Sequence, residues 1–137
     1  MTSAVIAMTA LGAAGALHLY WAAGGRRGRE AAIPRAGGKA LFDPGPVTTF
    51  LVAVGLFVLA GLIAWRDGLI DLPLPLVIAR VGVPLCAIMF LVRAIGDFRH
   101  VGWTKRVRDS RFARLDDLLY APLCLVLAAC FAVASIG

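Results

Sequence analysis

Four apolar runs, each long enough to cross the hydrocarbon core of a bilayer, constrain the fold of this chain more than any other feature. They cover about residues 3–23, 47–65, 76–98 and 115–136. A helix rises about 1.5 Å per residue, so about 20 apolar residues cross a core that is about 30 Å thick. The composition agrees, because 61% of the residues are hydrophobic, 16% are charged and the mean hydropathy is +0.86, which is outside the range of ordinary soluble domains. We therefore predict one integral membrane domain over residues 1–137, an all-α, up-and-down bundle of four helices.

The first apolar run is predicted to be a retained helix. A cleaved signal peptide carries basic residues before its apolar core, whereas the first basic residue here, Arg26, follows the core. Two pairs of small residues at helical spacing, Ala10 with Ala14 and Gly12 with Ala16, predict that a second helix approaches this one closely.

Two of the three connections are strongly basic. Residues 24–46 contain five Lys or Arg and residues 99–114 contain six, whereas the connection between the second and third runs contains only Arg66. Because basic loops are retained on the cytoplasmic side of a membrane, we predict that both long loops are cytoplasmic and that both termini lie outside. The same basic residues make membrane lipids, and anionic headgroups in particular, the expected partners of these loops.

Several other classes of partner and site are not supported by the sequence. The net charge of +6 does not indicate nucleic-acid binding, because the basic residues lie between bilayer-length apolar runs and not beside stacking platforms on a folded surface. The three cysteines, Cys86, Cys124 and Cys130, all lie inside apolar runs and form no C-x-x-C motif. This pattern argues against a disulfide framework, a thiol-redox motif and a zinc site. We therefore predict no nucleic-acid partner, no cofactor and no metal, and we leave a homo-oligomer open.

The candidate ligand-binding residues are ionisable and aromatic side chains near the loop-side ends of the apolar runs. They are His18, Trp21, Arg93, Asp97, Asp116 and Tyr120. Counting back from the loops places His18, Arg93 and Tyr120 within about 10 Å of the predicted cytoplasmic boundary. An ionisable group at that depth is costly enough to indicate a function, so we predict that three helices present these side chains to one cavity.

A pair between Arg93 and Asp97 is the central prediction for this cluster. The two residues are one helical turn apart and can meet on one helix face. We predict that they pair with each other and with at least one of His18, Asp116 and Tyr120. The alternative is an intrahelical pair that only lets the arginine reach the headgroups.

The remaining candidates also have structural interpretations. Asp116 and Asp117 can stabilise the N-terminus of the last helix, where the helix dipole favours carboxylates. Trp21 can be an anchor at the membrane interface. His18 can simply donate a hydrogen bond to a neighbouring helix, although it is an ionisable residue inside the lipid boundary.

Several short motifs resemble an uncharacterised family of small bacterial four-helix integral membrane proteins, domain of unknown function 3995. They are His18-Leu19-Tyr20-Trp21-Ala22 with Gly24-Gly25, Pro34 with Phe42-Asp43-Pro44, Arg93-x-x-Gly96-Asp97-Phe98-Arg99 with Gly102, and Phe112-Ala113-Arg114-x-Asp116-x-x-x-Tyr120-x-Pro122-Leu123-Cys124. The resemblance covers most of the chain. It implies a four-helix membrane architecture and a location in the bacterial inner membrane, and it assigns no activity.

Three functions follow from these observations. The first is a protein that binds a lipid headgroup or small amphiphile in a cytoplasmic-side polar pocket. The second is a structural or regulatory membrane subunit with no ligand. The third is a membrane-embedded enzyme that uses His18 and a carboxylate on a lipophilic substrate. An enzyme requires a histidine within hydrogen-bond reach of a carboxylate in a cavity, whereas a structural subunit would show the polar groups paired and no cavity, and we rank catalysis below the other two.

Overall fold

The four apolar runs all form helices that are long enough and apolar enough to cross a membrane. The computed structural model describes all 137 residues. In chain order the elements are α1 (Thr2–Ala22), α2 (Arg29–Ala32), β1 (Arg35–Ala36), β2 (Lys39–Ala40), α3 (Pro46–Arg66), α4 (Val77–Ile95), α5 (Arg111–Leu115), a π-helical turn (Asp116–Tyr120) and α6 (Ala121–Ile136). The elements from α5 to α6 form one continuous fourth helix, Arg111–Ile136. The predicted all-α bundle of four helices is confirmed.

The four long helices are arranged as two hairpins. α1 packs mainly against α3, and α4 packs mainly against α6, while α1 with α6 and α3 with α4 form the contacts between the hairpins. The amino group of Met1 lies 2.6 Å from the Asp67 carboxylate, so the start of α1 and the end of α3 are at the same end of the bundle. We call that end, with both termini and residues 67–76, the terminal face. The other end, with residues 23–45 and 96–110, is the loop face.

Large apolar side chains fill the centre of the bundle and also cover its outside. Leu11, Ile63 and Phe131 are almost fully buried, and the rings of Phe90 and Phe131 lie 5.7 Å apart. Only 28 of the 137 residues are buried, and many exposed residues on the helices are large and apolar, such as Leu51. Apolar surface of this extent is suited to contact with lipid chains. The architecture is therefore compatible with a multi-pass membrane protein.

The close contact between α1 and α3 occurs at a small residue other than those predicted. A Cβ atom added to Gly15 would lie 2.9 Å from the ring of Phe57, whereas one added to Gly12 would meet nothing within 4 Å. Ala16 is exposed. The prediction of a close approach was correct, but Gly15 makes it because the buried face of α1 runs through that residue and Leu11.

Two helix boundaries differ from the predicted spans by more than one residue, and both differences affect the site. The third span ends at Ile95 and not at residue 98, because Gly96 adopts a positive φ of 97°. The fourth begins at Arg111 and not at residue 115, because the Ser110 side chain caps the helix by accepting a hydrogen bond from the Ala113 amide at 3.1 Å. Asp97 therefore lies in a loop.

The first long loop contains a short antiparallel ribbon that the sequence did not indicate. Arg35 pairs with Ala40 and Ala36 with Lys39. The two residues between them are glycines with positive φ angles of 57° and 76°, which is the backbone geometry that two-residue hairpin turns require. These two strands are the exception to an otherwise helical chain.

Candidate functional site

The second long loop folds back on the end of α4. The backbone amide of Trp103 donates to the Ala94 carbonyl at 3.0 Å, and the amide of Thr104 donates to the Ile95 carbonyl at 3.1 Å. The last carbonyls of a helix have no partner within the helix, so this loop supplies the missing donors. The loop is therefore an ordered continuation of α4.

A contact between two glycines fixes the shape of this loop. Gly96 and Gly102 both have positive φ angles, 97° and 77°. A Cβ atom on Gly96 would overlap the Val101 carbonyl, and one on Gly102 would overlap the backbone of Gly96. Any larger residue at either position is therefore excluded, and the contact directs the Gly102 amide toward the fourth helix.

Asp116 accepts three hydrogen bonds in a fully buried position. Its Oδ1 atom accepts from Arg93 Nη2 at 2.9 Å, and its Oδ2 atom accepts from the Gly102 amide at 2.6 Å and from Lys105 Nζ at 3.1 Å. The side chain is 0% exposed. One carboxylate thus joins α4, the second long loop and the fourth helix, and it does so from the first position of the π-helical turn.

Lys105 is equally buried, although it belongs to a basic loop. Its ammonium group donates to Asp116, to Asp117 Oδ1 at 2.5 Å and to the Gly102 carbonyl at 3.0 Å. An ammonium group has three N–H donors, so all of them have acceptors. Arg108 Nη1 extends the array by donating to Asp117 Oδ2 at 2.6 Å nearer the surface.

We call Arg93, Lys105, Arg108, Asp116 and Asp117 the ion-pair network. Burying charges is costly unless they are paired and hydrogen-bonded, and nearly every buried donor and acceptor here has a partner. The exception is Arg93 Nη1, which is buried without an acceptor. The network attaches the second long loop to two helices. Asp116 and Asp117 thus act by ion pairing, since the helix already begins at Arg111.

The predicted pair between Arg93 and Asp97 does not form. Arg93 pairs with Asp116 instead, because Gly96 ends α4 before the helix can place Asp97 one turn after Arg93. Of the partners that the sequence predicted for Arg93, only Asp116 pairs with it.

Asp97 has a different role, inside its own loop. Its Oδ1 atom accepts hydrogen bonds from the backbone amides of Arg99, His100 and Val101 at 2.6 to 2.9 Å. Slight desolvation raises the pKa of this carboxyl group, but the amides of Val101, His100 and Arg99 and the charge of His100 outweigh it and lower the pKa to about 2. Asp97 therefore holds the turn at residues 97–101.

His18 and Trp21 form a separate group at the end of α1. His18 Nδ1 lies 2.8 Å from the Ala14 carbonyl of the same helix, and its ring packs edge-on against Trp21 with centroids 5.0 Å apart. Trp21 Nε1 donates to the Arg27 carbonyl at 2.8 Å. The structure contains no hydrogen bond from His18 to a carboxylate or to another helix, so His18 is not part of the hydrogen-bonded cluster around Arg93.

Tyr120 connects the fourth helix to the first long loop. Its hydroxyl group donates to the Ala31 carbonyl of α2 at 2.9 Å, and its ring lies 5.8 Å from that of Phe112. Residue 31 and residue 120 belong to different hairpins, so this bond joins the first long loop to the fourth helix across the two hairpins.

A polar groove lies between the two long loops, and we call it the loop groove. Its volume is about 260 Å³ and no hydrophobic residue lines it. The lining residues are Glu30, Arg35 and Gly38 from the first loop with Asp109, Ser110 and Arg111 from the second. None of the four charged side chains takes part in an ion pair, and Arg35 donates only to the Gly38 carbonyl at 2.7 Å.

The charge of the protein is concentrated around this groove. Twelve Lys and Arg against six Asp and Glu lie at or next to the loop face, whereas two of each lie near the terminal face. The loop face therefore carries the whole formal charge of +6. An anionic group that approaches this end of the bundle meets a favourable potential.

Sequence reasoning missed Lys105 and the charged residues of the loop groove. Lys105 is one of several basic residues in a stretch that is typical of a solvated loop. Nothing in the sequence distinguishes it from the neighbouring basic residues. The groove depends on contact between segments that are far apart in the chain, such as α2 with α5. A single sequence carries no signal for such a contact.

Comparison with known proteins gives a family and no activity. A family described as protein of unknown function (DUF3995) matches residues 11–131. No curated protein and no solved structure gave a match. The matched region contains the loop groove, the ion-pair network and all but the outer ends of the first and last helices. Because the match covers most of the chain, this protein belongs to the DUF3995 family.

Proposed function

We propose that this protein binds a phospholipid headgroup of the cytoplasmic leaflet in the loop groove. The observation that carries the proposal is a polar groove with two arginines that lack carboxylate partners, on the end of the bundle that holds all of the net positive charge. The sequence predicted a cytoplasmic-side pocket around Arg93 and Asp116, but these two residues form an ion pair with each other. We therefore place the pocket in the loop groove instead.

The chemistry of the groove suits a phosphate. Arg35 and Arg111 come from different loops and contribute guanidinium groups to the same groove. Guanidinium groups bind phosphate oxygens through charge-assisted, often bidentate hydrogen bonds. Such a site would hold the phosphate between the two loops.

The position of the groove suits a lipid. Arg111 is the first residue of the fourth membrane-length helix, so the groove lies where that helix would leave the hydrocarbon core and enter the headgroup layer. The exposed side chains of this helix become apolar from Leu118, about two turns after Arg111. A phospholipid could therefore place its headgroup in the groove and its chains along the bundle.

The same proposal places the loop face in the cytoplasm and the protein in the bacterial inner membrane. The excess of Lys and Arg in both long loops supports this orientation through the positive-inside rule. The leaflet of the bound lipid follows from the orientation.

A charge-matched pair of variants tests the binding proposal. We expect Arg35→Ala with Arg111→Ala to weaken binding of phospholipid to the purified protein by about tenfold or more, because hydrogen bonds to charged groups contribute about 1.5–3 kcal/mol each. The control, Arg26→Ala with Arg106→Ala, removes the same charge from exposed residues outside the groove. Titration of lipid into detergent-solubilised protein, followed by native mass spectrometry, measures both. Equal losses in the two variants would mean that the whole basic face attracts lipid and that the groove is not a site.

A structural role without ligand is the second candidate, and the closed ion-pair network favours it. Lys105 and Asp116 are fully buried and paired, as expected for residues whose role is to fix the positions of helices and loops. Under this alternative, variants of the loop groove would leave lipid binding unchanged, while variants of the network would lower stability.

A further inference from the structure

We propose that the loop groove selects a zwitterionic headgroup that carries both a phosphate and a primary ammonium group. This inference rests on the proposed function and concerns the same site. It starts from the two carboxylates of the groove, Glu30 and Asp109, which lie beside its two arginines and form no ion pair with them or with any other residue.

Each side of the groove presents one acid and one base. The first loop contributes Glu30 and Arg35, and the second contributes Asp109 and Arg111. A ligand with only negative charge would be attracted to the arginines and repelled by the carboxylates, and a ligand with only positive charge would meet the opposite conflict. A ligand with one charge of each sign can satisfy both sets.

The size of the groove suits a small headgroup. Its volume of about 260 Å³ lies below the range of about 300–1,000 Å³ that is typical of sites for drug-sized molecules. A phosphate joined to an ammonium group by two carbons is a ligand of this class. Its phosphate would accept hydrogen bonds from Arg35 and Arg111, and its ammonium group would donate to Glu30 and Asp109.

The ammonium group distinguishes this headgroup from other zwitterions. A primary ammonium group has three N–H donors, whereas a trimethylammonium group has none and would leave the carboxylates without hydrogen bonds. The groove should therefore bind phosphatidylethanolamine more tightly than phosphatidylcholine, although both have the same formal charge. It should also bind phosphatidylethanolamine more tightly than phosphatidylglycerol, once the general attraction of the basic face is screened by salt.

The test compares these three lipids on the complete protein. Each is titrated into detergent-solubilised protein at about 0.5 M salt, where interactions between exposed charges are largely screened, and the bound fraction is measured by native mass spectrometry. We expect phosphatidylethanolamine to bind about tenfold more tightly than the other two lipids, because its ammonium group adds hydrogen bonds to the two carboxylates. In Glu30→Gln with Asp109→Asn that preference should disappear. Asp71→Asn, which alters an exposed carboxylate at the terminal face, should keep it.

The outcomes separate this inference from the proposed function. If the three lipids bind equally, or if the Glu30 and Asp109 variant keeps the preference, zwitterion selection is wrong, while loss of binding in the Arg35 and Arg111 variant would still support a headgroup site. If neither variant changes the binding of any lipid, the headgroup site itself is wrong.

A soluble ligand of the same chemistry is the remaining alternative source. O-phosphoethanolamine carries the same phosphate and ammonium groups without acyl chains. We expect it to displace phosphatidylethanolamine only at much higher concentration, because it gains nothing from the apolar surface below the groove. Displacement at concentrations equal to those of the lipid would overturn the assignment to a lipid and assign the groove to a soluble zwitterion.

Discussion

Lys105 and Asp116 form an ion pair in which both side chains are inaccessible to solvent, with Nζ 3.1 Å from Oδ2. The lysine comes from a loop and the aspartate from a π-helical turn in the fourth helix. Since each group also has further hydrogen-bond partners, the pair is the centre of the ion-pair network. This part of the loop face is therefore fixed by buried ion pairs and hydrogen bonds.

Removal of the Asp116 carboxylate should destabilise the protein strongly. Asp116→Ala leaves Lys105 and Arg93 without their shared partner, and breaking a buried ion pair in this way costs about 3–5 kcal/mol of the free energy of unfolding. Unfolding in detergent, followed by circular dichroism, measures the change. Asp109→Ala, at an exposed and unpaired aspartate of the same loop, is the control and should change stability little. Equal stability of the two variants would contradict the structural role of the network.

The two lysines of the chain should differ in reactivity. Lys39 is exposed, whereas the Lys105 side chain is 0% exposed and all its donors are occupied. An amine-reactive reagent should therefore modify Lys39 in the folded protein and reach Lys105 only after unfolding. Peptide mass spectrometry after brief labelling reports both sites in one sample. Comparable labelling of both lysines in folded protein would show that the second loop opens readily.

A side chain at Gly102 should not be tolerated. Gly102→Ala places a Cβ atom against the backbone of Gly96 at a positive φ angle, and it displaces the amide that donates to Asp116. We expect a loss of more than about 1 kcal/mol in the free energy of unfolding, which exceeds the usual benefit of replacing glycine. Gly55→Ala in α3, where a Cβ atom meets nothing within 4 Å, is the control. A neutral Gly102→Ala would show that the two glycines do not pack closely.

Asp97 should make stability depend on acidic pH. Its pKa in the folded protein is about 2, below the ordinary value of 3.8, so the ionised carboxylate stabilises the fold above pH 3.8. That contribution is lost as the pH falls from 3.8 to about 2. The difference in thermal stability between the parent and Asp97→Asn should therefore shrink across this interval. A difference that is constant from pH 5 to pH 2 would mean that the charge of Asp97 contributes nothing.

The proposed orientation can be tested with single cysteines. In a protein without Cys86, Cys124 and Cys130, a thiol reagent that cannot cross membranes should label Thr2→Cys in intact cells and not Gly37→Cys. Both positions are exposed, so access to the reagent depends on the side of the membrane. The reverse pattern would place the loop face and its groove outside the cell.

The helices could be predicted from the sequence, because a run of about 20 apolar residues already satisfies the only requirement for crossing a bilayer. The ends of the helices could not be predicted equally well. Gly96 and Ser110 set two of them, and the effect of a single glycine or cap depends on the contacts around it. The two misplaced ends moved Asp97 out of a helix and removed the partner predicted for Arg93.

The site could be predicted only where local spacing decides the contact. Asp116 was recognised as a polar residue in an apolar helix, and it is indeed at the centre of a polar cluster. Lys105 was not recognised, because its burial results from the way the second loop folds back on α4. The loop groove was missed for the same reason, since Glu30 and Asp109 line one groove only after both hairpins have packed.

The division of the bundle into two hairpins has a consequence for its biogenesis. The first loop is braced within its own hairpin by the ion pair of Arg29 with Asp43, at 2.9 Å, and the second loop is braced within its own hairpin by the ion-pair network. We therefore expect each hairpin to insert as a unit during translation, before it meets the other. The groove takes three lining residues from each hairpin, so it forms only when the two hairpins pack together, and a bound ligand would therefore act as a clamp between them.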